Sequence, residues 1–81
     1  MEVVIDDNAL RDLAKITKKD AERIFSKLEI LSGYPDIPNI KRLRHFDPPY
    51  RLRVGNYRVL FDVEEGVVTV YNVKHRKESY R

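Results

Sequence analysis

Residues 50–63 constrain this chain more than any other part of it. Tyr50, Leu52 and Val54 alternate with Arg51 and Arg53, the two-residue period of a strand with one face to bury. Gly55-Asn56 follows as a two-residue hairpin signal. Beyond it, Tyr57, Val59, Phe61 and Val63 alternate with Arg58, Leu60 and Asp62. A two-residue turn pairs Val54 with Tyr57, sets Arg53 directly opposite Arg58, and leaves Arg51 one step along the same face. The chain therefore builds a sheet with one apolar face to cover and one face carrying guanidinium groups.

The rest of the sequence supplies the cover. Val3, Val4 and Ile5 make Glu2–Ile5 a short strand, and Asp6-Asp7-Asn8 stops it. One of those polar residues caps a helix in which Leu10, Leu13 and Ala14 recur at helical spacing. Thr17-Lys18-Lys19-Asp20 resembles a capping box with Asp in place of Glu or Gln. The helix it opens aligns Ala21, Ile24, Phe25, Leu28 and Leu31 on one stripe, with Phe25 and Leu28 expected in the core. Gly33 suits the C′ position and Pro35 prevents continuation.

Residues 34–39 are a loop, and Leu43 opens a short extended piece that Asp47-Pro48-Pro49 interrupts. Glu65-Gly66 turns the chain into a last strand over 67–73. There Val68 and Val70 favour one face while Tyr71 and Val73 favour the other. That pattern fits either a bulge or a strand covered on both sides. The order β-α-α-β-β-β predicts an α+β domain: a curved antiparallel sheet with a two-helix hairpin on its apolar face and the arginine face left open.

Eighty-one residues hold one domain, 1–81, with a thin core and little room for a deep pocket. With 42% hydrophobic residues the chain is too apolar to be disordered. Cysteine is absent, which removes disulfides, thiol catalysis and cysteine-ligated metal sites together. Only His45 and His75 offer imidazole, and no carboxylates fall at ligand spacing, so no metal or other cofactor is expected. The acidic start with its three-residue apolar run is not a signal peptide, and no stretch nears the roughly 18 apolar residues of a membrane span. A soluble cytoplasmic protein is expected.

Charge divides the chain. Residues 1–40 carry six Lys/Arg against eight Asp/Glu, and residues 41–81 carry ten against five. Within 41–60 stand Lys41, Arg42, Arg44, Arg51, Arg53 and Arg58 against Asp47 alone, interleaved with His45, Phe46, Tyr50 and Tyr57. Basic and aromatic residues on one segment are the footprint of a nucleic-acid partner, although a solvated strand face has the same composition. Facing like charges destabilise a sheet, so Arg51, Arg53 and Arg58 on one face argue for an anion between them over arginines that splay into water.

The terminal run Lys74-His75-Arg76-Lys77-Glu78-Ser79-Tyr80-Arg81 adds cations, an imidazole and a phenol. If the last strand neighbours the one before it, His75, Arg76 and Tyr80 reach the same rim. Such a set has the parts for RNA cleavage without metal: cations for the pentacoordinate phosphate, and His75 or Tyr80 for proton transfer. Arginine holds its proton too tightly to be the base.

The stretch Tyr50-Arg-Leu-Arg-Val-Gly-Asn-Tyr-Arg-Val-Leu-Phe61, with residues 41–43 before it and Val73-Lys-His-Arg-Lys-Glu-Ser-Tyr-Arg81 after it, resembles the RelE/ParE toxin superfamily, and more narrowly the RelE-type mRNA interferases. The resemblance implies the toxin of a type II toxin–antitoxin system that enters the ribosomal A site and cuts mRNA there without metal. It also implies a small RelB-like antitoxin that masks the basic face.

Carried over residue by residue, the resemblance implies catalytic roles for Arg51, Arg53, Arg58, Arg76 and Tyr80, and acid–base work for His75. Lys41, Arg42, Arg44, Lys74, Lys77 and Arg81 are expected to bind RNA. Where the best-known member has lysines, this chain has Arg51 and Arg53, which favours charge stabilisation over proton abstraction there. Two alternatives remain: a ParE-like toxin that poisons DNA gyrase by binding, a branch that generally lacks the Arg/Tyr set, and a basic RNA-binding domain without catalysis.

Overall fold

The computed structural model describes residues 1–77. The elements run β1 (Glu2–Ile5), α1 (Asp7–Ala14), α2 (Lys18–Leu28), a 3₁₀ turn (Glu29–Gly33), β2 (Ile40–Arg42), β3 (Tyr50–Val54), β4 (Tyr57–Glu64) and β5 (Val67–His75). Both helices begin where side chains satisfy their first N–H groups. Asp6 Oδ2 accepts from the Asn8 N–H at 3.0 Å, and Thr17 Oγ1 accepts from the Asp20 N–H at 3.3 Å.

The end of α2 differs from the sequence expectation. Gly33 does not adopt a left-handed cap; the helix tightens into the 3₁₀ turn, which closes with Tyr34 N–H donating to the Leu31 carbonyl. That tightening keeps Leu31 buried in line with Ile24 and Leu28.

Phe25 is not a core residue: it is 42% exposed and sits with Val3 and Ile5 beside a shallow groove near β1. The apolar stripe is wider than the contact α2 makes, and Phe25 falls at its margin. In α1 likewise, Ala9 and Leu13 turn inward while Leu10 stays out.

The five strands form one sheet in the order β1-β5-β4-β3-β2. Pairs β2–β3, β3–β4 and β4–β5 are antiparallel. The expectation of an antiparallel sheet throughout is corrected at one place: β1 lies parallel to β5, with Ile5 opposite Val70. The helices carry the chain from one edge to the other, and β5 then enters beside β1 in the same direction. A further correction concerns the strand before the hairpin, which is Ile40–Arg42 and ends before Leu43.

Turn chemistry sets the register. Gly55 takes φ +57° and Asn56 does not take a positive φ, the pattern of a turn that asks for glycine first. Glu65 (φ +51°) and Gly66 (φ +78°) are both left-handed, as the other two-residue hairpin turn requires. Between β4 and β5 the ladder slips once: Leu60 pairs with Asn72 but Phe61 with Val70, so Tyr71 is the extra residue of a bulge. The bulge resolves the ambiguous last strand, because it shifts the alternation so that Val68, Val70 and Val73 all reach the core.

The core lies between that face and the helices: Leu52, Val54, Val59, Phe61, Val68, Val70 and Val73 meet Ala9, Leu13, Ile24, Leu28 and Leu31. At its β2 side Tyr50 stacks on Phe61 at 5.5 Å, and Tyr34 packs edge-on to both. The opposite face is only partly open. Leu43 and Leu60 are each 8% exposed, outside the main cluster. Asp47 and Pro48, from the loop after β2, share a cleft on that side with Asp62, Tyr71 and Asn72.

Candidate nucleic-acid interface

Two rows of side chains cross the arginine face. In the first, register partners place Arg53 opposite Arg58 and Arg58 opposite Lys74. In the second, Lys41 faces Arg51, Arg51 faces Leu60, and Leu60 faces Asn72. Directly opposite residues in an antiparallel pair hold their Cβ atoms about 4.5–5.5 Å apart. The hairpin thus brings Arg53 and Arg58 together as the two-residue turn predicts, with Arg51 beside them.

Burial gives these cations their character. Arg53 is exposed, while Arg51 and Arg58 are half-buried. Arg58 Nε and Nη1 are shielded from solvent and have no hydrogen-bond partner among the described residues. A buried donor left unsatisfied costs about 1–3 kcal/mol, and more when charged. Guanidinium groups hold phosphate oxygens through charge-assisted hydrogen bonds, and the exposed Arg53 stands directly across from Arg58. Asp62 sits at the far end of this face, where Oδ1 accepts from the Val63 N–H at 2.7 Å.

The third member of the first row is held elsewhere. Lys74 Nζ lies 3.8 Å from Asp12 Oδ1, on α1, and Asp12 Oδ2 accepts from the Val73 N–H at 2.9 Å. Strand β1 ends opposite Val70, where Asp6 N–H donates to the Val70 carbonyl. Past the bulge β5 has no strand on that side, and the Asp12 carboxylate takes the place of one. Asp12 was absent from the sequence expectations. Its backbone partner, Val73, lies 61 residues away, and nothing local marks it.

Beyond β5 the Arg76 N–H donates to the Asn56 carbonyl at 2.7 Å, which ties an exposed Arg76 to the hairpin turn. Lys77, also exposed, follows it. His75 goes the other way. It pairs with Tyr57 on the helix-side face, the rings edge-on at 5.4 Å, and its Nδ1 accepts from the Lys77 N–H. The expected convergence of His75 with the arginines is therefore corrected: strand alternation puts it on the face opposite Arg58.

Arg42 also leaves the face, lying over the Tyr50 ring at 5.9 Å. Its charge and the hydrogen bond between Tyr50 and Tyr34 act on the Tyr34 phenol in opposite senses. The hydrogen bond, with burial, wins and holds that phenol above its ordinary 10.0. Arg44 lines the loop after β2. Tyr80 and Arg81 lie outside the described residues. Among those described, no three His, Asp or Glu side chains cluster to hold a metal ion, and no helix is long and apolar enough to cross a membrane.

A family profile described as the ParE toxin of type II toxin–antitoxin systems matches residues 3–80. The chain belongs to the RelE/ParE toxin superfamily. Toxin RelE3 of Methanocaldococcus jannaschii is 27% identical over 84 residues, covering 99% of this chain and 96% of that protein. The toxin in the RelB–RelE antitoxin–toxin complex from Methanococcus jannaschii superposes with a TM-score of 0.78 at 26% identity, over 95% of this chain and 94% of that one. The corresponding chain in the RelBE2 toxin–antitoxin complex of Mycobacterium tuberculosis gives 0.80 at 26% identity, over 93% and 96%. The two-helix, five-strand architecture is thus that of RelE-like toxins.

Proposed function

We propose that this toxin is a ribosome-dependent endoribonuclease that cuts mRNA in the A site without metal. The observation that carries the reading is Arg58, with two buried N–H groups lacking partners among the described residues and a second guanidinium, Arg53, directly across the hairpin. In the reaction the 2′-hydroxyl attacks the adjacent phosphorus, its proton passing to a base. The bond from phosphorus to the 5′-oxygen breaks, that oxygen takes a proton, and a 2′,3′-cyclic phosphate remains. Arg53 and Arg58 hold the charge that builds on the phosphate oxygens, with Arg51 and Arg76 beside them. Tyr80, carried over from the resemblance, supplies one of the two proton transfers in this reading, while His75 faces Tyr57 and is turned away from these arginines.

The RelE relatives at 26% identity are seen in toxin–antitoxin complexes, which supports a small cognate antitoxin here. An acidic partner laid over Arg51, Arg53 and Arg58 would neutralise the face the reaction needs. The description of the matching profile as a ParE toxin favours a second reading, gyrase poisoning.

Purified toxin added to a translation reaction, with the message mapped by primer extension, separates the two. Codon-phased cuts inside the reading frame are expected. Intact message with gyrase-linked DNA breaks would replace the first reading by the second, and arrest with intact message and DNA would leave RNA binding alone.

A further inference from the structure

The loop after β2 carries basic and aromatic groups that the phosphate site does not use. Its base is closed by Leu43 N–H donating to the Pro49 carbonyl at 2.6 Å, and Leu43 itself is buried. His45 takes φ +61°, and Pro48 and Pro49 restrict the return to β3. The outer side opens as a cleft of about 700 Å³ lined by Arg42, Leu43, Arg44, His45, Phe46 and Pro49. That is twice the volume of the cleft at the end of β5, about 350 Å³. Among the described residues no carboxylate lines it, since Asp47 belongs to the cleft with Asp62 and Asn72.

Phe46 is 39% exposed at this site. An exposed phenyl ring among guanidiniums, on a loop closed at its base, has the composition of a stacking platform for bases. Stacking on an aromatic ring tolerates any nucleobase, and cations beside it draw in the backbone on either side.

Position on the sheet links this cleft to the arginine rows. Arg53 and Tyr50 are three residues apart on β3, roughly 10 Å of strand, and the loop joins β3 immediately before Tyr50. An RNA strand leaving the Arg53–Arg58 pair in that direction passes Arg51 and Lys41 before it meets the loop.

We propose that this cleft takes one unpaired nucleobase of the RNA, next along the strand from the phosphate held by Arg53 and Arg58, and stacks it on Phe46. The inference rests on reading the arginine row as an RNA phosphate site, and it makes the 43–49 loop the part of the toxin that senses base identity.

The probe is a short single-stranded RNA with 2-aminopurine at successive positions, titrated with toxin at low salt. One position is expected to lose fluorescence on binding. Phe46→Leu should abolish that quench and lower affinity about tenfold, while the slope of affinity against salt stays the same because no charge is lost. Phe46→Tyr should restore the quench. Arg58→Ala should abolish cleavage yet keep it, which separates base stacking from the phosphate site.

An equal quench in Phe46→Leu, no quenched position in bound RNA, or no RNA binding at all would overturn the inference. A Phe46-dependent quench with translated message left uncut would instead overturn the nuclease reading and leave the base site standing.

Discussion

Arg53 and Arg58 face one another across the β3–β4 hairpin, one residue back from its turn, and the inner N–H groups of Arg58 are shielded from water without a partner among the described residues. Two like charges in register, one of them partly desolvated, make the hairpin less stable than it would be with neutral residues there. Replacing Arg58 by Met should therefore lower mRNA cleavage by ~100-fold or more, the loss of a transition-state charge donor, while the thermal midpoint holds or rises. Activity and melting temperature measured on the same preparation decide the matter. A midpoint that falls along with activity would show that Arg58 serves the fold.

Asp12 holds the end of β5 through a backbone hydrogen bond and an ion pair with Lys74. Asp12→Ala removes both and leaves the Val73 N–H without its carboxylate. A loss of about 1.5–3 kcal/mol in urea unfolding is expected. Asp12→Asn keeps an acceptor for that N–H and should lose less. Equal losses for the two variants would assign the effect to the ion pair alone.

The Tyr34 phenol, hydrogen-bonded to Tyr50, is held above 10.0. The folded chain thus favours the protonated form more than the unfolded chain does. That stabilisation is whole below pH 10.0 and is lost as pH rises through the raised value. Tyr34→Phe should lower the unfolding midpoint at neutral pH and flatten its decline at alkaline pH. A variant with the same alkaline slope as the parent chain would show that another group titrates there.

Glu65 occupies a left-handed position beside Gly66, where a side chain other than asparagine or aspartate is disfavoured. Glu65→Asn should raise stability by about 0.5 kcal/mol, a few degrees in melting temperature for a domain this size, with no change in cleavage. An unchanged or lower midpoint would mean that the Glu65 side chain contributes contacts that offset its backbone cost.

Local information was enough for the hairpin and its charged face. Period-two alternation and a two-residue turn leave one register for residues 50–63, so the Arg53–Arg58 pairing was legible without coordinates. The same holds for the helix starts, since Asp6 and Thr17 satisfy N–H groups only two or three residues away.

What only the tertiary structure decided depends on residues distant in sequence. The parallel placement of β1 beside β5 follows from where the helices return the chain, and no local pattern encodes that. The bulge at Tyr71 exists because Val68, Val70 and Val73 all gain by burial against the helices, and one extra residue is what brings them to a common face. The same alternation turns His75 to Tyr57 and away from the arginines. Asp12 reaches β5 only after β1 has ended, which makes its role a property of the assembled sheet. Side-chain period and turn type act over a few residues and can be read along the chain. Edge order, burial and carboxylate partners are set by the competition of distant segments for one small core.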